Sequence, residues 1–417
     1  MRIDSTKLNG PCACGRTHEM KTRAAIIEPG AMERFEDYMK EFGIPGPRAV
    51  IYDRNTYNAK NLVRPAADLE VVLDPEGLHA NEKGTAAAAA ALEGHAPACL
   101  VAVGSGTIHD ITRYTANRLG IPFVSCPTAA SVDGFCSTVS AMTWGGCKKT
   151  LPGVAPEIVI ADTRVIKEAP LRLSLSGIGD IIGKYTALAD WKITHAINGE
   201  HFCSRINDLT MDAVKAVYAC AEKAAARDEE AVGQLIYALL LSGLAMQLMG
   251  NSRPASGAEH HISHLIEMEP ESLGVSSGGL HGEKVGVGTI MISRLYHKLG
   301  ENDDIAPYLV PYRTYTEEEL KGFYGDFLFP GVLDENRPDA MDEVTPDMVK
   351  AAWPEIRRII AEIPTAEELE DLYTRTGMKK TLEDIDVPSA CADRILYFSP
   401  SVRRRITFNR VSRMFRL

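Results

Sequence analysis

The feature that most limits what this chain can fold into is a change of period near residue 170. Between Pro47 and Asp162, short β-branched or apolar runs alternate with helical stretches, and after Pro170 a 3.6-residue apolar spacing takes over. The first pattern is that of βα units, which build a parallel sheet. It predicts strands over 49–52, 69–73, 100–103, 123–126 and 158–161, and helices over 30–42, 85–92 and 108–119. An open doubly wound, Rossmann-like sheet follows, and such sheets take ligands at the carboxyl ends of their strands. The second pattern predicts an all-α domain, with helices over 208–227, 230–249 and 345–362. Glu168-Ala169-Pro170 marks the division, so the expected domains are an α/β unit over 1–170 and a helical unit over 171–417.

Bulk properties narrow the function. A chain of 417 residues exceeds what one core usually supports, and 45% hydrophobic with 24% charged residues is a globular composition. The net charge of -11 disfavours nucleic acid, and it means that an anionic ligand must be held by local groups rather than drawn in by the whole field. The first ten residues lack the apolar core of a secretory signal. The apolar stretch over 235–249, interrupted by Ser242 and Gln247, falls short of the roughly 20 residues that span a bilayer and reads as a buried helix, with no stable membrane insertion. Nine cysteines, an odd number spread over the whole length, read as free thiols in the cytoplasm. Cys12, Cys14 and His18 place soft ligands close together, but a structural zinc site usually has four, and a plain N-terminal turn is the alternative. At the other end Arg403, Arg404, Arg405, Arg410, Arg413 and Arg416 interleave with apolar residues; a solvated helix face or a domain contact is preferred over an anionic membrane surface.

Three motifs carry chemistry. In the first, Val101 to Asp110, a strand runs into Gly104-Ser105-Gly106 and then into a helix, whose exposed amides and positive end suit a pyrophosphate; a glycine turn of this kind also occurs for steric reasons alone. The second, Pro127-Thr128-Ala129-Ala130-Ser131-Val132-Asp133, follows the next strand and lies on the same sheet edge, with Thr128 and Ser131 offering hydroxyls and Asp133 an acceptor. Asp53, at the end of its own strand, stands where an acid binds an adenosine ribose, while Arg54 beside it favours a 2′-phosphate. The third is Asp180 with His260-His261-Ile262-Ser263-His264 and His281. His260 and His264 share a helical face, and either could join Asp180 and His281 in a three-ligand site suited to zinc, nickel or ferrous iron.

GSGTIHDITRY, PTAASVDGFCS, SGIGDIIGKYTALADWK, SGAEHHISHLIEM and HGEKVGVGT, in that order over roughly 45–295, resemble the iron-dependent alcohol dehydrogenase and dehydroquinate synthase-like superfamily, most closely its branch acting on sn-glycerol-1-phosphate. The resemblance implies a dinucleotide-binding first domain, a metal-binding helical domain and an active site in the cleft between them. Carried onto matching positions, the metal ligands would be Asp180, His260 and His281. His264, Asp133 and Asp180 would touch substrate and serve as the catalytic residues. The cofactor, NAD(H) or NADP(H), would lie against Asp53, Gly104, Gly106, Thr107, Ile108, His109, Asp110, Thr128, Ala129, Ala130, Ser131 and Ser137. A homodimer is implied as well. Lys184, one helical turn past Asp180, is chosen as the substrate's phosphate anchor on charge and spacing alone. The CxCGxxH start and the long region after about 300 depart from the short archaeal form.

The expected reaction is metal-assisted hydride transfer between a nicotinamide and C2 of a small phosphorylated polyol, in the service of phospholipid metabolism, with His264 and water relaying the proton. Alternatives are an unphosphorylated polyol such as glycerol, a dehydroquinate synthase-like cyclase, which Asp180 in place of Glu counts against, and a catalytically silent relative.

Overall fold

The computed structural model describes residues 1–145 and 147–416; the side chains of Cys147 and Lys148 lie outside that description. The chain divides into two compact units, the first formed by 1–181 and 215–251 and the second by 182–214 and 252–417.

The first unit is built on a seven-stranded sheet in the order Arg2–Asp4, Ala24–Glu28, Ile158–Asp162, Phe123–Pro127, Cys99–Gly104, Arg48–Asp53, Leu69–Leu73. Only the edge strand Arg2–Asp4 runs antiparallel. Strand alternation feeds two cores. Val50, Tyr52, Val101 and Val103 face the side packed by Phe35, Tyr38 and Met39, whereas Ala49, Ile51, Leu100 and Ala102 face Ile108 and Ile111. All five expected strands are present. Two more strands of the sheet, Arg2–Asp4 and Ala24–Glu28, precede them with a small separate ladder of Gly10–Pro11 and Thr17–His18, and an antiparallel hairpin of Val139–Trp144 with Cys147–Pro152 lies between the fourth and fifth.

The helix Glu229–Met249, expected in the second domain, belongs to the first unit. It packs against Ala24–Glu28 and the short helix Thr163–Ile166. Apolar residues surround it on every side, so it requires burial on every side. It is the one described helix long and apolar enough to cross a bilayer, and 78% of its most apolar window is buried in the fold.

All named strands lie within the first unit; the second is helical, with one isolated bridge pairing Leu309 with Phe415. Its arginine-rich tail leaves Arg404 and Arg416 exposed, but several of its other arginines make packed contacts within the unit, nearer to the expected domain contact than to a solvated face. Arg410 is fully buried and pairs with Asp339 at 3.3 Å and with Asn336 at 2.6 Å, Arg405 donates to the Ser256 carbonyl at 2.6 Å, and the Arg413 guanidinium stacks 3.5 Å over Tyr315. Interleaved apolar residues pull the segment inward, and each buried guanidinium then needs an acceptor or a ring.

Candidate active site

In the first unit the sheet topology marks a candidate ligand crevice. From the strand Arg48–Asp53 the chain moves outward to Leu69–Leu73, then crosses to Cys99–Gly104 on the other flank. That reversal is a topological switch point, where a crevice opens at the strands' carboxyl ends. Asp53 and the Gly104 turn end the two strands that flank it. The helix Gly106–Leu119 starts there, and Ser105 at its head makes no side-chain capping bond, leaving the first turn of amides to a ligand. Gly104 is required by packing: a Cβ would sit 2.6 Å from that of Ile108.

The second loop is tied to the first, Thr128 N–H donating to the Gly104 carbonyl at 3.0 Å. Ser176 donates to the Ser131 carbonyl at 3.3 Å, and Gly177 lets the helix Leu171–Ile182 approach so closely that a Cβ there would lie 2.1 Å from the Ala130 oxygen. The same helix carries Asp180, fully buried, which accepts the Asp133 amide at 3.0 Å. Asp133 in turn accepts from Ser242 at 2.9 Å. Two of the sequence's candidate catalytic carboxylates are thus brought together across 47 residues of chain.

Several expected cofactor residues also make contacts within the fold. Ile108 and His109 are core residues: Ile108 has no exposure, and His109 packs edge-on to Phe135 at 4.8 Å while bonding the Ser105 carbonyl. Burial pushes the His109 imidazole down to about 3. Both lie on the inward face of their helix, and their side chains fix the loop from beneath. Asp53 caps the short helix Arg54–Tyr57 by accepting Thr56 N–H at 2.7 Å, which commits one carboxylate oxygen. Ser137 bonds the Val139 backbone. Asp110 pairs with Arg113 at 2.7 Å, and the buried Arg113 donates to the Gly134 and Phe135 carbonyls at 2.8 and 3.0 Å. Arg113 therefore holds the loop after Asp133 in shape. Sequence reading missed it because a single arginine at helical spacing looks like any surface residue.

In the second unit the helices Ala258–Met268 and His281–Gly300 bring together His260, His264 and His281, with ring centroids 5.4 to 6.0 Å apart. Two carboxylates orient them. Glu259 meets His260 Nδ1 at 2.7 Å, and Glu267 meets His281 Nδ1 at 3.0 Å. Each bond commits Nδ1 and makes Nε2 the nitrogen able to ligate, an arrangement typical of metal-binding histidines. The donor set therefore fits a divalent transition metal. Burial alone would raise Glu259, but the His260 bond and charge, with Thr186 Oγ1 at 2.6 Å and Gly257 N–H at 2.7 Å, outweigh it and hold the carboxyl below its ordinary range. Glu267 is likewise raised by burial but carried far below by His281. His261 on the adjoining face is fully buried, and burial keeps it neutral. Lys184 is fully buried as the first residue of the helix Lys184–Asn198. Neither Glu259 nor Glu267 was singled out from sequence, although a carboxylate adjoining a histidine motif is the signal that could have found them.

The profile of iron-containing alcohol dehydrogenases matches residues 26–170. In fold the chain is similar to the crystal structure of a probable glycerol dehydrogenase from Sinorhizobium meliloti, with a TM-score of 0.54 at 20% identity, covering 86% of this chain and 96% of that one. The class is that of the two-domain iron-containing alcohol dehydrogenases. Within it, sequence likeness is narrower. The chain is 37% identical over 300 residues to a glycerol-1-phosphate dehydrogenase (NAD(P)+) of Geobacillus stearothermophilus, covering 71% of this chain and 67% of the relative. It is 33% identical over 279 residues to the enzyme of that name from Pyrococcus horikoshii, covering 66% and 78%. The chain belongs to the glycerol-1-phosphate dehydrogenase family.

Proposed function

We propose that this chain is a metal-dependent, NAD(P)H-linked oxidoreductase interconverting dihydroxyacetone phosphate and sn-glycerol-1-phosphate. The observation that carries the reading is the likeness to curated glycerol-1-phosphate dehydrogenases over two thirds or more of their length. Asp180, His260 and His281 are the proposed metal ligands, with zinc, nickel and iron all compatible with one carboxylate and two imidazoles. When bound, the metal supplies Lewis acidity at the C2 oxygen and the nicotinamide supplies the hydride.

The chain's own residues do the rest. Glu259 and Glu267 hold two imidazoles in one tautomer, so that Nε2 faces outward from each carboxylate. The Gly104 turn, Gly106, Thr107 and the loop from Thr128 to Ser131 hold the cofactor's phosphates at the switch point, and Asp53 keeps one carboxylate oxygen for the ribose. Asp133 and Asp180 orient the substrate hydroxyls. His264 hands over the proton as a neutral imidazole: burial first, then the charge of Arg403, pushes it well below the usual range. Lys184 remains the proposed phosphate anchor, and Arg403, half-buried and the leading charge acting on His264, joins it. The absence of a disulfide at the eight described cysteines suits a cytoplasmic enzyme, and a homodimer is proposed on family grounds.

The test is NADH oxidation with dihydroxyacetone phosphate, on chelator-stripped protein restored in turn with zinc, nickel and iron. Metal-dependent oxidation giving the sn-1 product is expected. Oxidation with no metal requirement, or equal activity on dihydroxyacetone and its phosphate, would sink the assignment.

A further inference from the structure

The N-terminal Cys12, Cys14 and His18 take no part in the chemistry above. A two-residue-per-strand ladder pairs Gly10–Pro11 with Thr17–His18. Its connecting loop is closed by Cys12 N–H to the Arg16 carbonyl at 2.9 Å and Gly15 N–H to the Cys12 carbonyl at 3.0 Å. Gly15 sits at φ +85°, a left-handed position that glycine tolerates, and the loop turns back on itself there. The fold of the loop sets the two thiols and the imidazole on one point, their ligand atoms all within 4.8 Å of one another.

We propose that Cys12, Cys14 and His18 bind a zinc ion in a structural site separate from the catalytic metal. The Cys14 Sγ to His18 Nε2 separation is 3.3 Å. A tetrahedral zinc with bonds of about 2.3 Å to sulfur and 2.0 Å to nitrogen demands a ligand–ligand edge of roughly 3.5 Å, so the pair needs almost no movement to bind. The second imidazole nitrogen is already committed: His18 Nδ1 lies 2.8 Å from the Leu248 carbonyl, to which it donates. That bond sets the tautomer presenting Nε2 toward Cys14, the outer-sphere arrangement metal-bound histidines use. His18 is 3% exposed, so the imidazole is fixed in place, while both thiols keep partial access to solvent. Two sulfurs and a nitrogen select zinc over magnesium or calcium.

Binding replaces the two thiol protons, which leave to solvent, and the fourth position is filled by a further donor or by water. The consequence is a clamp. His18 bonds the last turn of the helix Glu229–Met249, and Gln247 of that helix accepts the Lys21 amide at 2.8 Å, so a metal at His18 locks the N-terminal hairpin onto that helix.

The test uses the full-length protein reconstituted with zinc, or with cobalt as a spectroscopic substitute. Metal analysis should find one equivalent fewer in Cys12→Ser and in Cys14→Ser than in the parent, with the cobalt thiolate charge-transfer band lost in both and retained in His281→Ala. Because a serine variant could fail to fold, the unaltered protein is also alkylated with iodoacetamide and read by mass spectrometry. Cys12 and Cys14 should be protected in the zinc form and labelled once chelator is added. Equal labelling in both forms, or a thiolate band undiminished in both serine variants, would overturn the proposal.

Discussion

His264 is an imidazole whose surroundings decide how a proton can travel. Desolvation and then Arg403 favour its neutral form, so it carries no charge at neutral pH and passes a proton by accepting one as it gives one up. His264→Ala should slow turnover by about 10²-fold or more while metal content, read by elemental analysis, stays at the parent value. Loss of the metal would place His264 among the ligands instead. Because the folded value lies well below 6.5, kcat of the parent should show no step from this residue between pH 6 and 8. The phosphate anchors are separable by substrate. Lys184→Ala and Arg403→Ala should each raise KM for dihydroxyacetone phosphate by about tenfold or more, the worth of one charge-assisted bond, and leave KM for dihydroxyacetone unchanged. A shift of equal size with both substrates would mean that the side chain supports the fold and does not hold phosphate.

Among elements, the contact between the helix Leu171–Ile182 and the loop after Phe123–Pro127 has the least room. Adding a methyl at Gly177 drives it into the Ala130 carbonyl, which is backbone and cannot rotate away. Gly177→Ala should cost about 1–3 kcal/mol in urea melts and raise KM for NADH more than KM for the keto-phosphate. An unchanged KM for NADH would remove Ala130 from the cofactor's surroundings. In the second unit three elements converge on Asp190, which accepts from Tyr296 Oη at 2.6 Å, Phe408 N–H at 2.7 Å and Ala258 N–H at 2.8 Å. Burial first, then the Glu259 charge, pushes it up to about 7. The folded state therefore holds the proton more tightly than the unfolded one, and this carboxyl's contribution is fully present below its unfolded value near 4 and declines as pH rises to about 7. Asp190→Asn cannot titrate. Its stability deficit should be largest near pH 4, shrink by about 1.4 kcal/mol per unit at most, and level off above pH 7. A deficit independent of pH, measured by chemical denaturation, would show that Asp190 is ionised throughout.

At the scale of the whole chain, what the sequence made legible was what repeats. Short β-branched or apolar runs placed five of the sheet's seven strands, and the histidine spacing placed three imidazoles on two helices. What stayed hidden depends on tertiary partners. Ala24–Glu28 opens on two alanines, which have little strand signal of their own and pair because Ile158–Asp162 and Arg2–Asp4 lie alongside. The tail's arginines read as a solvated face or a domain contact without a choice between them, because nothing local reveals Asp339 and Asn336 beside Arg410 or Tyr315 beside Arg413. The helix Glu229–Met249 lacks a polar face, so its sequence says that it is buried and not in which unit. One property belongs to no element: a net charge of -11 opposes the approach of a phosphorylated substrate that buried cations must later hold. Screening weakens interactions over distances beyond the Debye length of about 10 Å at 0.1 M, and it weakens close buried pairs much less. Raising salt from about 10 to about 150 mM should therefore increase kcat/KM for dihydroxyacetone phosphate and leave that for uncharged dihydroxyacetone flat. A fall with salt would mean that a local positive field reaches past the protein's net charge, and would direct attention to the lysines and arginines at the mouth of the site.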